Sequence, residues 1–200
     1  MVIPTAALGE VCSIYGGGTP SRARPEFYGG TIPWVTVKDL KSHDITRAAE
    51  TITEAGVVNS ATRIMPTHSI IVATRISVGA VGIARVPVAI NQDLKGLVPS
   101  DGLNPDYVAW FLKTRRGFLE SKASGSTVKG ITTDVLAALE IPLPPLGEQR
   151  RIVAVLDRAA SIRRRLDTAR AQARALIPAL FLDHFGDPAT NPKAWPVLTV

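Results

Sequence analysis

The sequence predicts an α+β fold: a mixed globular domain followed by a long helix that pairs in an antiparallel coiled coil. Three observations carry this. Over residues 1–140, short apolar segments alternate with glycine, proline and asparagine, the punctuation of strands and loops. One amphipathic helical pattern interrupts them at about residues 105–116. From residue 148 onward apolar residues recur at Ile152, Val155, Ala159, Ile162, Leu166, Ala169, Ala173, Leu176 and Leu180, with spacings that alternate between 3 and 4. That is the a/d seam of a coiled coil rather than the broader stripe of a helix lying on a globule.

The elements follow in order. Residues 8–15 (LGEVCSIY) alternate as a strand, and Gly16-Gly17-Gly18 opens a loop suited to close backbone approach. Tyr28-Gly29-Gly30 is a turn, and residues 31–37 (TIPWVTV) read as a strand, with Pro33 placing it at an edge or start. Residues 48–60 fit a short helix. Residues 69–74 (SIIVAT), 78–84 (VGAVGIA) and 86–91 (VPVAIN) fit strands. Asn104 is a natural N-cap with Pro105 at the first helical position, and Tyr107, Val108, Phe111 and Leu112 share one helix face. Residues 117–123 extend that helix, residues 125–130 form a loop, and residues 132–138 form another short helix.

Pro142, Pro144 and Pro145 make residues 141–145 extended, since proline fixes φ and lacks a donor. Gly147 is the expected N-cap of the long helix, with Glu148 in its first turn, where the helix dipole favours a carboxylate. Pro178 should kink or end the helix, and Phe185-Gly186-Asp187-Pro188 is a stop signal. This divides the chain into a globular domain at 1–140, a proline-rich connector at 141–147, the helix at 148–185, and a tail at 186–200. The tail reads as the opening of a further domain, with an incoming strand at Trp195–Val200, or else as a frayed end. A seam with alanine at three positions allows close helix approach, and it requires a partner helix; the alternative is that the helix packs on its own domain.

The chain of 200 residues carries a net charge of +6. Residues 147–185 hold eight Arg against three Asp and one Glu, net +4, including Arg163-Arg164-Arg165, whereas residues 1–146 are nearly balanced. A basic helix permits an anionic partner, although charge runs also serve as solvated faces. Cys12 is the one cysteine, which excludes an intrachain disulfide and fits a reducing, cytoplasmic setting. The N-terminus lacks the basic and apolar regions of a signal peptide, and no apolar run approaches the ~20 residues of a membrane span.

No catalytic, metal or cofactor set emerges. His43, His68 and His184 are scattered, zinc spacing is absent, and neither a phosphate loop nor a nucleophile elbow occurs. Asn104-Pro105-Asp106-Tyr107 differs by one residue from the Asn-Pro-Pro-Tyr of amino-methyltransferases, but it runs directly into a helix and no methyl-donor loop precedes it. What remains is a set of polar and basic residues at loop positions suited to nucleic acid. These are Thr19, Ser21, Arg22 and Arg24 near the glycine run, and Lys38, Arg75, Lys95, Lys122 and Lys129 at element ends. Asn91 and Gln92 add amides able to pair bidentately with adenine.

Five segments together carry a family resemblance: GGGTPS at 16–21, GGTIPWVTVKDL at 29–40, INQDLKGL at 90–97, GSTVKGIT at 125–132 and IPLPPLGEQRRIV at 141–153. In order and spacing they resemble the specificity subunit of type I restriction-modification systems. The resemblance implies tandem target recognition domains, each followed by a long helix, with the two helices pairing antiparallel as a ruler between DNA half-sites. It implies no catalytic activity of its own, docking of modification (methyltransferase) subunits, a restriction subunit that can join them, and adenine methylation at a bipartite site. This chain contains one such domain, one helix and, at residues 185–200, what resembles the family's joint between halves, so the resemblance implies either the N-terminal half of a full subunit or a natural half-subunit; in the latter a second copy supplies the helix partner, giving a homodimer on a palindromic site. Residues 148–184 would extend about 55 Å at 1.5 Å per residue, roughly a turn and a half of B-DNA. Two other readings stay open from the residues themselves: a coiled-coil adaptor with no DNA role, and a methyltransferase resting on residues 104–107.

Overall fold

The computed structural model describes residues 3–125 and 127–196. Two compact units emerge, Met1–Val153 and Ala154–Val200. The first opens with β1 (Thr5–Ala7), α1 (Leu8–Val11) and β2 (Cys12–Gly16). It continues with β3 (Tyr28–Val35), β4 (Asp44–Ile45), β5 (Glu50–Ile52), α2 (Glu54–Val58), β6 (Arg63–Met65) and β7 (Ile70–Ala73). Then come β8 (Val81–Ala84), β9 (Val88–Ile90), β10 (Leu94–Pro99), α3 (Pro105–Thr114), α4 (Arg116–Lys122), α5 (Thr133–Ala137) and β11 (Glu140–Pro142). The long helix α6 (Leu146–Phe185) begins in this unit and runs through the second.

A five-stranded sheet, β2-β10-β7-β8-β4, is the central layer. A four-stranded sheet, β5-β3-β9-β6, covers one face, and helices cover the other. The arrangement follows from the period-2 alternation of strands. On β7, Ile70 and Val72 point into the helix-side core with Val108, Leu112, Leu119 and Leu136, while Ile71 and Ala73 join Val35, Met65, Val88 and Ile90 between the sheets. A strand buried on both faces reads as a continuous apolar run, which is why SIIVAT was legible as one. β1 and β11 form a small antiparallel ribbon that joins the start of the domain to its proline-rich end.

Several expectations are corrected by packing. Residues 8–15 divide into a helical turn and a strand, because Leu8 is fully buried and its N–H donates to the Leu139 carbonyl at 2.8 Å. Residues 48–60 divide into β5 and α2: Ile52 is buried against β3, and the Thr53 hydroxyl caps α2 by accepting from Gly56 N at 3.1 Å. The strand at 31–37 starts earlier and ends at Val35. Pro33 lies inside it, between two neighbouring strands, and is tolerated because pairing with β9 begins only at Trp34. The strands expected at 78–84 and 86–91 shorten to β8 and β9, and β10 and β6 had no separate expectation.

The helical expectations at 105–116 and 132–138 match α3 and α5, with Asn104 and Thr132 as side-chain caps. Gly147 is not an N-cap, since α6 starts at Leu146 and the Pro145 carbonyl accepts from Glu148 N and Gln149 N. Nor does Pro178 end α6, which continues to Phe185. Gly186 then terminates it at φ 77°, donating to the Leu182 carbonyl at 2.9 Å. In the second unit the tail folds onto that helix end: Lys193 Nζ donates to the Asp183 and His184 carbonyls and Trp195 Nε1 to the Phe185 carbonyl. Of the strand expected at Trp195–Val200, residues 197–200 lie outside the described residues. Among the described residues no helix is long and apolar enough to cross a membrane.

Candidate nucleic-acid interface

The glycine run is shaped by the domain's own backbone. A Cβ on Gly17 would lie 2.3 Å from the carbonyl oxygens of Ile90 and Asn91. Gly18 donates to the Ile90 carbonyl at 3.0 Å, and its own carbonyl accepts from Trp34 Nε1 at 3.2 Å and the Thr62 hydroxyl at 2.8 Å. This close approach brings two segments far apart in sequence, GGGTPS and INQDL, against one another. The Thr19 hydroxyl donates to Gln92 Oε1, closing the contact.

A cavity of about 300 Å³ results. Thr19, Arg22, Lys38, Asn91 and Gln92 line it, together with Trp34, Glu50, Ile76 and Asp93. Five of the eleven sequence-predicted contact residues thus share one hollow. Arg75 reaches it through Asp93, at 3.6 Å, and Lys129 adjoins through its carbonyl, which accepts from Ile76 N at 3.4 Å. Lys95 lies opposite Gly16 on β10, and Ser21 is exposed on the loop that carries Arg22. Of the further basic candidates, Arg24 pairs with Glu26, and Lys122 lies on α4 with its ammonium 5.5 Å from the Phe118 ring centre.

The cavity's side chains divide by how firmly they are held. Asn91 is buried, its Nδ2 donating to Asp93 Oδ2 and its Oδ1 accepting from Asp93 N, each at 3.2 Å. That amide shapes the loop. Gln92 is exposed at the rim, within reach of a ligand. Arg22 forms a two-pronged pair with Glu50 at 2.6 and 3.1 Å and lies 4.4 Å over the Tyr28 ring and 5.2 Å from Trp34. The hydrogen bond from Arg22 holds the Glu50 carboxyl below the usual carboxylate range. Arg22 therefore presents a fixed planar fork already balanced by a carboxylate, while Lys38, Arg75 and Lys129 are exposed cations on separate elements around it. Glu50 and Ile76 carried no local signal in the sequence, and Asp93, though inside INQDLKGL, was not among the expected contacts; the folding of β5 and of the β7–β8 and β9–β10 turns brings them here.

The Asn104–Tyr107 segment is structural. Asn104 Oδ1 accepts from Tyr107 N at 3.0 Å as a helix cap, and the buried Tyr107 donates its hydroxyl to the Pro142 carbonyl at 3.0 Å. Neither group is presented to a substrate. His43, Asp44 and Asp106 bring potential metal-ligand atoms within 4.8 Å of one another. Arg85 already bridges Asp44 and Asp106 at 2.7 and 2.6 Å, and Lys113 Nζ lies 2.6 Å from His43 Nδ1. Two cations in contact make this an ion-pair cluster that closes α3 onto the sheet rather than a site for another cation.

On α6, Ile152 is partly buried against the helix-side core. From there the seam is open: Val155, Ile162, Leu166 and Leu176 are 52–58% exposed, and Ala159, Ala169 and Ala173 are exposed too. A cavity joining the two sheets' loops and a free heptad seam thus coexist in one chain.

Residues 5–171 match the type I restriction modification DNA specificity domain. The chain belongs to that family. This specificity domain is 36% identical over 152 residues to the MjaIX specificity subunit of Methanocaldococcus jannaschii, covering 74% of this chain and 35% of that protein. It is 34% identical over 158 residues to the EcoR124I/EcoR124II specificity subunit of Escherichia coli, covering 76% and 39% respectively. In three dimensions it resembles a chain from a type I restriction-modification system solved for its complex assembly and conformational transition, at TM-score 0.73 and 27% identity over 88% of this chain and 43% of that one. The HsdS subunit of Thermoanaerobacter tengcongensis gives TM-score 0.70 and 26% identity, over 88% and 42%. The chain therefore spans between 35% and 43% of the length of these four relatives.

Proposed function

We propose that this specificity domain reads one half of a bipartite DNA site and directs adenine methylation and restriction to it as the non-catalytic part of a type I restriction-modification complex. The observation that carries the reading is the convergence of Thr19, Arg22, Lys38, Asn91 and Gln92 on one cavity, with Arg75 and Lys129 beside it. Polar groups in a hollow suit base edges, and cations around it suit phosphates. Thr19, Ser21, Arg22, Lys38, Arg75, Gln92, Lys95 and Lys129 form the DNA-facing set, with the buried Asn91 holding the loop behind them: Gln92 and the Arg22–Glu50 fork face bases, and the lysines face the backbone.

The second half of the function belongs to α6. A second copy of the chain pairs antiparallel along Ile152, Val155, Ala159, Ile162, Leu166, Ala169, Ala173 and Leu176, giving a two-fold dimer that reads a palindromic site. The helix of 40 residues is about 60 Å long, which sets two half-sites more than a DNA turn apart. Modification subunits dock on this dimer, and a restriction subunit joins them.

The test is co-expression with a type I modification subunit, followed by methylation-sensitive sequencing of the host genome. A methylated palindrome with a fixed central gap is the expected result. Co-purification without methylation would remove the homodimer and leave a half that needs a different second half. Absence of any complex would overturn the reading in favour of an adaptor.

A further inference from the structure

Ile76 sits where an isoleucine is least expected. Its φ is 66°, in the left-handed region that β-branched side chains rarely adopt, and 66% of its surface is exposed. The turn that carries it is firmly anchored. Thr74 and Val78 on either side are buried. Thr74 N donates to the Asp93 carbonyl at 2.9 Å, Gly79 N to the Ala73 carbonyl at 2.9 Å, and Ser77 N to the Arg75 carbonyl at 2.8 Å. An aliphatic side chain is thus held out to solvent on a strained, well-braced turn, at the rim of the cavity lined by Thr19, Arg22, Lys38 and Gln92. Strain retained in a firm setting points to use.

Its neighbours indicate the partner. Arg75 precedes it, 46% exposed at the side chain, and the Lys129 carbonyl accepts from Ile76 N at 3.4 Å. Two exposed basic residues adjoin it, Arg75 (paired with Asp93) in sequence and Lys129 through its backbone, and they favour a polyanion over an apolar protein surface. Within the major groove of duplex DNA, one base edge alone carries an apolar group, the C5-methyl of thymine. Resting on the DNA-specificity reading above, we infer that Ile76 is a specificity-determining residue that contacts a thymine methyl group, while Arg75 and Lys129 hold the flanking phosphates.

The test uses the full chain. Duplexes that it prefers are selected from a random pool, and each thymine of the selected half-site is replaced in turn by uracil, which lacks only the methyl group. Wild-type protein should lose about fourfold in affinity at one position, the value of one buried methyl-sized group. Ile76→Ala should bind thymine and uracil equally there and keep its preference at all other positions. An equal uracil penalty in wild type and Ile76→Ala, or no sensitive thymine at all, would overturn the inference while leaving sequence selection intact. A variant that weakens selected and random duplexes alike would overturn it too, since the side chain would then not read a base. If the chain selects no sequence, the specificity reading itself falls and takes this one with it. Thermal unfolding of Ile76→Ala and Ile76→Gly separates these outcomes from misfolding; both should be as stable as wild type or more so.

Discussion

Replacing Gln149 by leucine should destabilise the first compact unit by about 2–4 kcal/mol. Gln149 is 3% exposed, at the beginning of α6. Its Oε1 accepts from Asn104 N at 2.8 Å, and its Nε2 donates to the Pro144 carbonyl at 2.9 Å and, weakly, to the Gly102 carbonyl at 3.4 Å. One side chain therefore ties the first turn of the long helix to the cap of α3 and to the proline-rich connector. Leucine nearly conserves volume, so the cavity term is small, but it leaves the Asn104 N–H and the Pro144 carbonyl without their partner. Each such group costs about 1–3 kcal/mol when water cannot reach it. Asn104 is only partly buried, so its share lies at the lower end. At about 2–4 °C per kcal/mol for a chain of this size, the melting temperature should fall by roughly 4–16 °C, measured by circular dichroism. Gln149→Glu adds a sign test. Its ionised carboxylate would set an acceptor against the Pro144 carbonyl, whereas its protonated form could donate there. The folded-state pKa is thus raised, and the variant should regain stability relative to wild type as the pH falls. A leucine variant within about 0.5 kcal/mol of wild type, the range of neutral surface changes, would refute the claim that these hydrogen bonds join helix to domain.

Further outcomes can be measured directly. Asp106 is held down to about 2 by hydrogen bonds from His43 and Arg85. A depressed carboxyl contributes stability above its unfolded value near 3.9, lost as pH falls through the folded value, so Asp106→Asn should cost about 2 kcal/mol at pH 7 and progressively less between about pH 4 and pH 2 in acid-unfolding experiments. Ile162→Asp or Leu166→Asp should abolish the proposed self-association in analytical ultracentrifugation, because a carboxylate would be buried in the seam, while the fold of residues 1–140 persists; a surviving dimer would place the interface elsewhere. Lys129→Ala should weaken duplex binding and lower the salt dependence by about one phosphate contact with little change in melting temperature, and an unchanged affinity would remove that loop from the DNA surface.

Much of this protein was legible in its sequence wherever the information is local. The cap at Asn104, the face of α3, the continuous apolar strand β7 and the stop at Gly186 depend on near neighbours in the chain, and each lies where period and cap chemistry put it. The heptad seam was equally plain, because an exposed a/d stripe must state its own period. The elements that differed are those in which a distant partner overrules the local pattern. Ile52 is drawn into a sheet by β3 where residues 48–60 read as a helix, and Leu8 is drawn into the core, turning the start of an expected strand into α1.

The candidate interface shows the same division. The types of residue suited to DNA could be read at 19–22 and 91–92, but not that the two loops close on one another, since the Gly17 approach to Ile90 is a contact across the fold. Nor could the sequence tell that Asn91 faces inward and Gln92 outward, or that Glu50 engages Arg22. Those outcomes depend on which strands pair, and pairing is decided by burying two sheet faces together, a free energy that belongs to the whole domain. The sequence alone determined the helix, its seam and its charge; the tertiary structure alone decided which loop residues line one cavity, because only the packed sheets bring them within reach.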